Sequence, residues 1–449
     1  MNKASDIEQP LLNATQYFSD QTRWQSWLDV EATLALSQAE MGMIPQEAGM
    51  EIALHSNLNS VNVEKLRLKI NQTMAPVFAL SECLADVCGK SGAYVHWGAT
   101  TQNIVETGRL LVLKQVQRHI FQNLSQVILQ LSTLAEQHAG LVMVGRTNRQ
   151  NALPITFGFK IAGWIDELIR LADQLKEVEP RLFQLRFGGA IGGYHSLGAD
   201  GVRLSELMAA RLGLHLSLVP NRTSVDPLIE YITKLSMIGV ASARISDELF
   251  LLMTEEIAEV SEIFDENVVG SSTMPHKVNP KYVVDLGAMS MQLRAKAGAA
   301  LAVPSPSHEA DAVTNRLLTQ LIAETCPMAI NVLEKLYKTI AAIAPNRSKM
   351  QENFLKSREM MATEGVMMRL AETVGRSHAH DIMHGLVDKA KRDNVSLYEI
   401  IMQNEEIVAA LGAETLNKML CTDGNIGQCE AIALQAAAAG REVANKIII

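Results

Sequence analysis

Proline is absent from three long stretches: between Val77 and Leu153, between Leu228 and Met274, and everywhere after Pro345. Proline lacks an N–H and clashes with the preceding turn, so its absence over such spans permits unusually long helices. Apolar residues there recur at three- and four-residue steps, not in the two-residue alternation of strands. Leu235, Ile238, Ala241, Ile245, Leu249 and Leu252 draw one such stripe, with Asp247 and Glu248 on another face. Gln115 to Ala139 and Ala162 to Val178 repeat it. Uncapped runs of this length predict long helices packed along their length, and an Ala-, Leu-, Met- and Glu-rich text agrees. The expected fold class is all-α, with a central long-helix bundle.

Composition removes the other broad classes. With 48% hydrophobic and 20% charged residues, the chain is too apolar to be disordered. A net charge of −9 argues against nucleic acid, which wants a basic footprint. No apolar run reaches the roughly 18–20 residues that span a bilayer. Met1 to Thr22 lacks the basic start and apolar centre of a signal peptide, so a cytoplasmic protein is expected. Cys83, Cys88, Cys326, Cys421 and Cys429 are scattered and never spaced C-x-x-C, which reads as reduced thiols without metal.

Against this helical background the irregular stretches are informative. They are His96 to Asn103, Gly145 to Gln150, Phe187 to Gly193 and Val269 to Pro280. Small hydroxyl and amide residues at such breaks leave backbone N–H groups free to meet an anion. Any one of them alone reads as an ordinary turn. Together, with Arg or Lys in two of them, they predict an anion site.

The run Gly270-Ser-Ser-Thr-Met-Pro-His-Lys-Val-Asn-Pro280 resembles the signature loop of the fumarase/aspartase superfamily, which includes adenylosuccinate lyase, argininosuccinate lyase and 3-carboxy-cis,cis-muconate cycloisomerase. His96 to Asn103 and Gly145 to Gln150 match that family's other active-site regions in order, and Met361 to Met368 resembles the start of its last domain. The resemblance implies three helical domains, at 1–105, 106–355 and 356–449. It also implies a homotetramer whose active sites each take one loop from three subunits, with no cofactor and no metal.

The family's chemistry removes a proton beside a carboxylate and then expels an amine or oxygen from the neighbouring carbon. By resemblance Ser271 is the base, and its alkoxide requires backbone N–H groups and a nearby cation. Lys277 and Asn279 match the residues that grip the substrate carboxylate. Thr100, Thr101 and Thr147 match the family's hydroxyl residues. Gln102, Asn148, Arg149, Gln150, Ser272 and Met274 complete the expected substrate-binding set. Gly270 and Pro275 read as hinges of a lid. His96 fits a proton donor, a substrate contact or a structural histidine. Arg149 fits a substrate carboxylate or an ion pair, while Arg146 and Lys160 read first as solvated surface. His378, His380 and His384 lack the carboxylate pattern of a zinc site.

Two departures narrow the function. Fumarases and adenylosuccinate lyases read Thr-His in the second region, with a Glu five residues after the loop Asn that holds that His. Here those positions are Asn148 and Val284, followed by Asp285. The cycloisomerase branch likewise lacks both. Its Thr-Ser-Gln-Asp ends in a carboxylate where this chain has Asn103. Ala310 replaces an Arg that helps bind a nucleotide phosphate, although Arg316 lies nearby. The expectation is a cycloisomerase-like lyase acting on a small polycarboxylate. Adenylosuccinate lyase or another fumarate-releasing lyase is the alternative, and a non-catalytic structural homologue stands third.

Overall fold

The computed structural model describes residues 11–421 and 425–448. Residues 1–10, which carry much of the N-terminal leader reading, lie outside them. Five helices dominate: Thr101–Gln137, Phe157–Glu177, Asp226–Leu252, Tyr282–Leu301 and Ala312–Ala341. The stripe from Leu235 to Leu252 is buried at every one of its six positions, as its spacing requires. Pro327 lies inside the last of these helices, so proline punctuation fails there. The architecture is all-α, and its few strands are short.

The chain divides into two compact units, each gathered from three stretches. The first comprises residues up to Asn123, Leu171–Val240 and Ala288–Glu334. Its opening helix, Asp20–Glu40, begins where Ser19 accepts the Thr22 N–H, and it buries Trp24, Trp27, Leu28 and Leu34. The helix Pro76–Val87 starts on a proline whose missing N–H costs nothing at that position. Asp311 caps the helix Ala312–Ala341 by accepting from Val313 at 2.8 Å and Thr314 at 3.3 Å.

The second unit comprises Leu124–Arg170, Ala241–Gly287 and the chain from Lys335 onward. It contains an antiparallel hairpin, Val142–Thr147 with Gln150–Thr156, and a strand pair, Val260–Glu262 with Ile343–Pro345. Short helices follow, from Arg347–Met361 to Cys429–Lys446, with Asn346, Ser396 and Asn404 as side-chain caps. Val366, Leu370, Met383, Leu397, Ile401, Leu416 and Leu420 form the apolar core of those between Thr363 and Cys421. Among the described residues no helix is long and apolar enough to cross a membrane.

Candidate active site

The first region opens the Thr101–Gln137 helix, in the first unit. Thr100 and Asn103 cap it reciprocally: the Asn103 N–H donates to the Thr100 carbonyl at 2.9 Å, and the Thr100 N–H to Asn103 Oδ1 at 3.2 Å. Asn103 is buried, and its Nδ2 donates to the Arg186 carbonyl at 3.2 Å. A carboxylate has no proton for that last bond, which accounts for an amide where the resembling enzymes carry Asp. Gln102 donates to Glu106 Oε1 at 2.5 Å and accepts from Arg222 Nη2 at 2.6 Å. Thr101 is exposed and Thr100 half-buried.

His96 stands with φ +62° and its Nδ1 2.6 Å from Glu31 Oε1. Burial alone would depress the imidazole, but the hydrogen bond and charge of Glu31 prevail and raise its pKa. Glu31 is 2% exposed, and its Oε2 has no partner among the described residues. This histidine therefore holds its proton more tightly than a free imidazole does.

The second region is the tip of the β-hairpin and not a break between helices. Thr147 pairs with Gln150, leaving Asn148 at φ +50° and Arg149 at φ +63° as a two-residue turn. Both residues in the left-handed region is the mark of a type I′ hairpin turn, and Asn is a residue that such turns favour. The backbone alone thus accounts for Asn148. A bulge at Gly145/Arg146 bends the strand, and a Cβ on Gly145 would lie 2.7 Å from the Leu153 carbonyl oxygen.

Arg146 corrects the surface reading. Its guanidinium binds both oxygens of Glu259, at 2.9 and 2.8 Å, and Glu259 is wholly buried. Asn353 adds a donor to the same carboxylate at 3.0 Å. Lys160 likewise pairs with Glu248, on a cleft of about 620 Å³ that none of the expected site residues lines.

The third region joins the strand Val260–Glu262 to the helix Tyr282–Leu301. Its neck is closed by Glu262, whose carboxylate accepts the N–H groups of Lys281, Tyr282 and Val283 at 2.7, 3.1 and 2.7 Å. These are the free donors of a helix start, where a negative charge is also favoured. Phe264 stacks on Tyr282 with ring centroids 5.8 Å apart. Farther out, the Asn279 N–H donates to the Gly270 carbonyl at 3.3 Å and the Lys277 N–H to the Met274 carbonyl at 3.0 Å. A Cβ on Gly270 would meet the Lys277 carbonyl oxygen at 2.9 Å. Ser271 Oγ accepts the Met274 N–H at 3.2 Å, one backbone donor of the kind its alkoxide needs.

Ser272, Met274 and Lys277 are exposed, as are Thr147, Asn148, Arg149 and Gln150, while Ser271 and Asn279 are half-buried. Among the described residues, no hydrogen bond joins the hairpin tip to this loop, and neither Lys277 nor Arg149 has an ion-pair partner. Val284 is exposed, and Asp285 pairs with Lys335 at 2.9 Å, so neither replaces the missing Glu of the relay. His378, His380 and His384 are exposed, and no cluster among the described residues suits a metal ion. Sequence reasoning missed Glu31, Glu259 and Glu262. Glu259 and Glu262 sit just before the signature loop, but nothing local ties the first to Arg146, 113 positions away.

The chain is similar to known proteins over most of its length. Residues 7–294 match the family described as lyase, and residues 359–436 match the adenylosuccinate lyase C-terminus. The N-acetyl-S-(2-succino)cysteine lyase of Dickeya dadantii (strain 3937) is 30% identical, covering 91% of this chain and 90% of its own. Trans-aconitate decarboxylase 1 of Mycosarcoma maydis is 32% identical, covering 92% of this chain and 84% of its own. The crystal structure of a 3-carboxy-cis,cis-muconate lactonizing enzyme from Pseudomonas putida superimposes with a TM-score of 0.85 at 28% identity, over 96% of this chain and 97% of that one. With the signature loop, the helical architecture and these matches together, the chain belongs to the lyase family of the fumarase/aspartase superfamily.

Proposed function

We propose that this lyase acts on a small polycarboxylate in the manner of the 3-carboxy-cis,cis-muconate cycloisomerases, with Ser271 as base. The carrying observation is the self-closed loop in which Ser271 Oγ already receives the Met274 N–H while Lys277 and Asn279 stand on the same loop. Removing a proton beside a carboxylate builds a dianion. Each preorganised donor lost from such a site typically raises the barrier by about 2.7–4 kcal/mol. Ser271 takes the proton, and Lys277 and Asn279 hold the carboxylate that gains charge. Thr100, Thr101 and Thr147 supply hydroxyl contacts, with Gln102, Asn148, Arg149, Gln150, Ser272 and Met274 around them. His96, whose pKa Glu31 raises, is the donor to the departing or accepting atom.

The branch assignment rests on Asn148 and Val284, where the His–carboxylate relay of fumarate-releasing enzymes is missing. A homotetramer with sites shared by three subunits would cover the exposed site residues, and also Val284, Met291 and Leu301 on the Tyr282–Leu301 helix. Five free thiols, four of them buried, suit the reducing cytoplasm. A fumarate-releasing lyase is the second reading, favoured by the succinocysteine lyase relative and the C-terminal match.

Proton NMR of the purified protein with 3-carboxy-cis,cis-muconate, trans-aconitate, N-acetyl-S-(2-succino)cysteine, adenylosuccinate and argininosuccinate tests this, each beside Ser271→Ala. Lactone from the muconate, absent in the variant, supports the cycloisomerase reading. Fumarate from a succinyl compound replaces it with the second. Ser271→Ala should abolish turnover and leave the melting temperature nearly unchanged, since it removes one exposed side-chain bond. A variant that keeps most of its activity assigns the base elsewhere.

A further inference from the structure

Gln102, Glu106 and Arg109 lie on one face of the Thr101–Gln137 helix. Arg222, which holds Gln102, also donates through Nη1 to the Ala190 carbonyl at 2.5 Å, and its buried Nε has no partner among the described residues. That carbonyl belongs to the Gly-rich stretch Phe187 to Gly193. Among the described residues, no N–H from Gly189 to Gly193 donates to a protein acceptor. Asn103 binds the Arg186 carbonyl and so fixes Arg186 against the same helical turn. Arg186 is only 9% exposed, yet no protein group among the described residues accepts from its guanidinium. Arg109 donates to the neutral Thr319 hydroxyl at 2.7 Å.

Glu106 is the carboxylate these groups share. Burial pushes its pKa up, while the Gln102 bond and the charges of Arg109, Arg186 and Arg222 pull it down. Arginine does not give up its proton, so three fixed cations stand around one carboxylate. One carboxylate does not balance three cations held in a poorly solvated place, and an incoming anion relieves that excess.

We propose that Arg186, with Arg109 and Arg222, forms an oxyanion subsite beside Thr100–Gln102 that takes a substrate carboxylate remote from the reacting carbon. The subsite deepens the polycarboxylate reading and rests on it. It would make the enzyme prefer tricarboxylates to dicarboxylates. A phosphate group offers the same oxyanion chemistry, and the test separates the two.

Titration calorimetry of the full-length protein in an amine buffer compares succinate, propane-1,2,3-tricarboxylate and inorganic phosphate, on wild type, Arg186→Gln and Arg186→Lys. The expected result is tricarboxylate binding about tenfold or more tighter than succinate in wild type. Arg186→Gln should bring the two together with succinate unchanged, and Arg186→Lys should fall between. The ligand-free Arg186→Gln protein should melt no lower than wild type, because among the described residues its guanidinium has no hydrogen bond to lose. A variant that fails to fold would mean Arg186 is structurally paired and overturns the subsite. Equal wild-type affinity for the two polycarboxylates also overturns it, while leaving the polycarboxylate reading intact. Phosphate binding that Arg186→Gln abolishes, with no polycarboxylate bound by wild type, keeps the oxyanion subsite and removes the polycarboxylate reading. No binding of any probe overturns both.

Discussion

Glu262 and Tyr282, twenty residues apart in the chain, are joined side chain to backbone across the neck of the Ser271 loop. With Lys281 and Val283 bound to the same carboxylate, the loop leaves and rejoins the fold at one point. Glu262→Ala removes the acceptor from three donors and should lower stability by about 1–3 kcal/mol. Hydrogen exchange should quicken over residues 265–281 and stay unchanged in the helices after Arg347. Unaltered exchange in the loop would show that the neck closes by other means.

Arg146 and the buried Glu259 form an ion pair, and removing the arginine strands the carboxylate. Arg146→Ala should cost about 3–5 kcal/mol by denaturant unfolding. The double variant Arg146→Met/Glu259→Leu should recover much of that loss, since no charge is left unpaired. A single variant as stable as wild type would return Arg146 to the surface class.

Asn148 sits in left-handed backbone, which separates its conformational role from any chemical one. Asn148→Gly should keep the hairpin, whereas Asn148→Ala should lose about 1–2 kcal/mol from backbone strain. Ligand affinity is then read on the glycine variant. If Asn148→Gly binds a substrate analogue as wild type does, the asparagine serves the turn alone.

His96 is raised by Glu31, and its sign is fixed. A group whose folded pKa exceeds its unfolded value stabilises the protein fully below the unfolded value, about 6.5 for histidine. That contribution fades as pH rises through the raised folded value. Stability measured from pH 6 upward should therefore fall more steeply in wild type than in His96→Gln. Identical slopes would show that the Glu31 bond contributes nothing.

The long helices were legible because burying one face forces a period that survives in the text, as at Leu235 to Leu252. The signature loop was legible because its residue order is specific. The hairpin was not: Gly145 to Gln150 reads as a turn in a helical text, and its first strand buries three consecutive residues, so no alternation shows. Asn148 looked like a lost proton carrier, but the turn geometry supplies its own reason for asparagine. The acidic partners of Arg146 and His96 lie 113 and 65 positions from them, and no local pattern encodes such pairs. Arg186 was invisible for the opposite reason, since only burial distinguishes it from other arginines.

The hairpin behaves mechanically as a cantilever. Its root is bolted where Arg146 grips Glu259 and Asn353 grips the same carboxylate, while Thr147 begins its free end. Deflection of a beam grows steeply with its unsupported length, and here that length is one residue before Thr147. The Thr147 backbone is therefore held by its pairing with Gln150 and by the Arg146–Glu259 grip one residue away, so that stiffness of the strand sets its place.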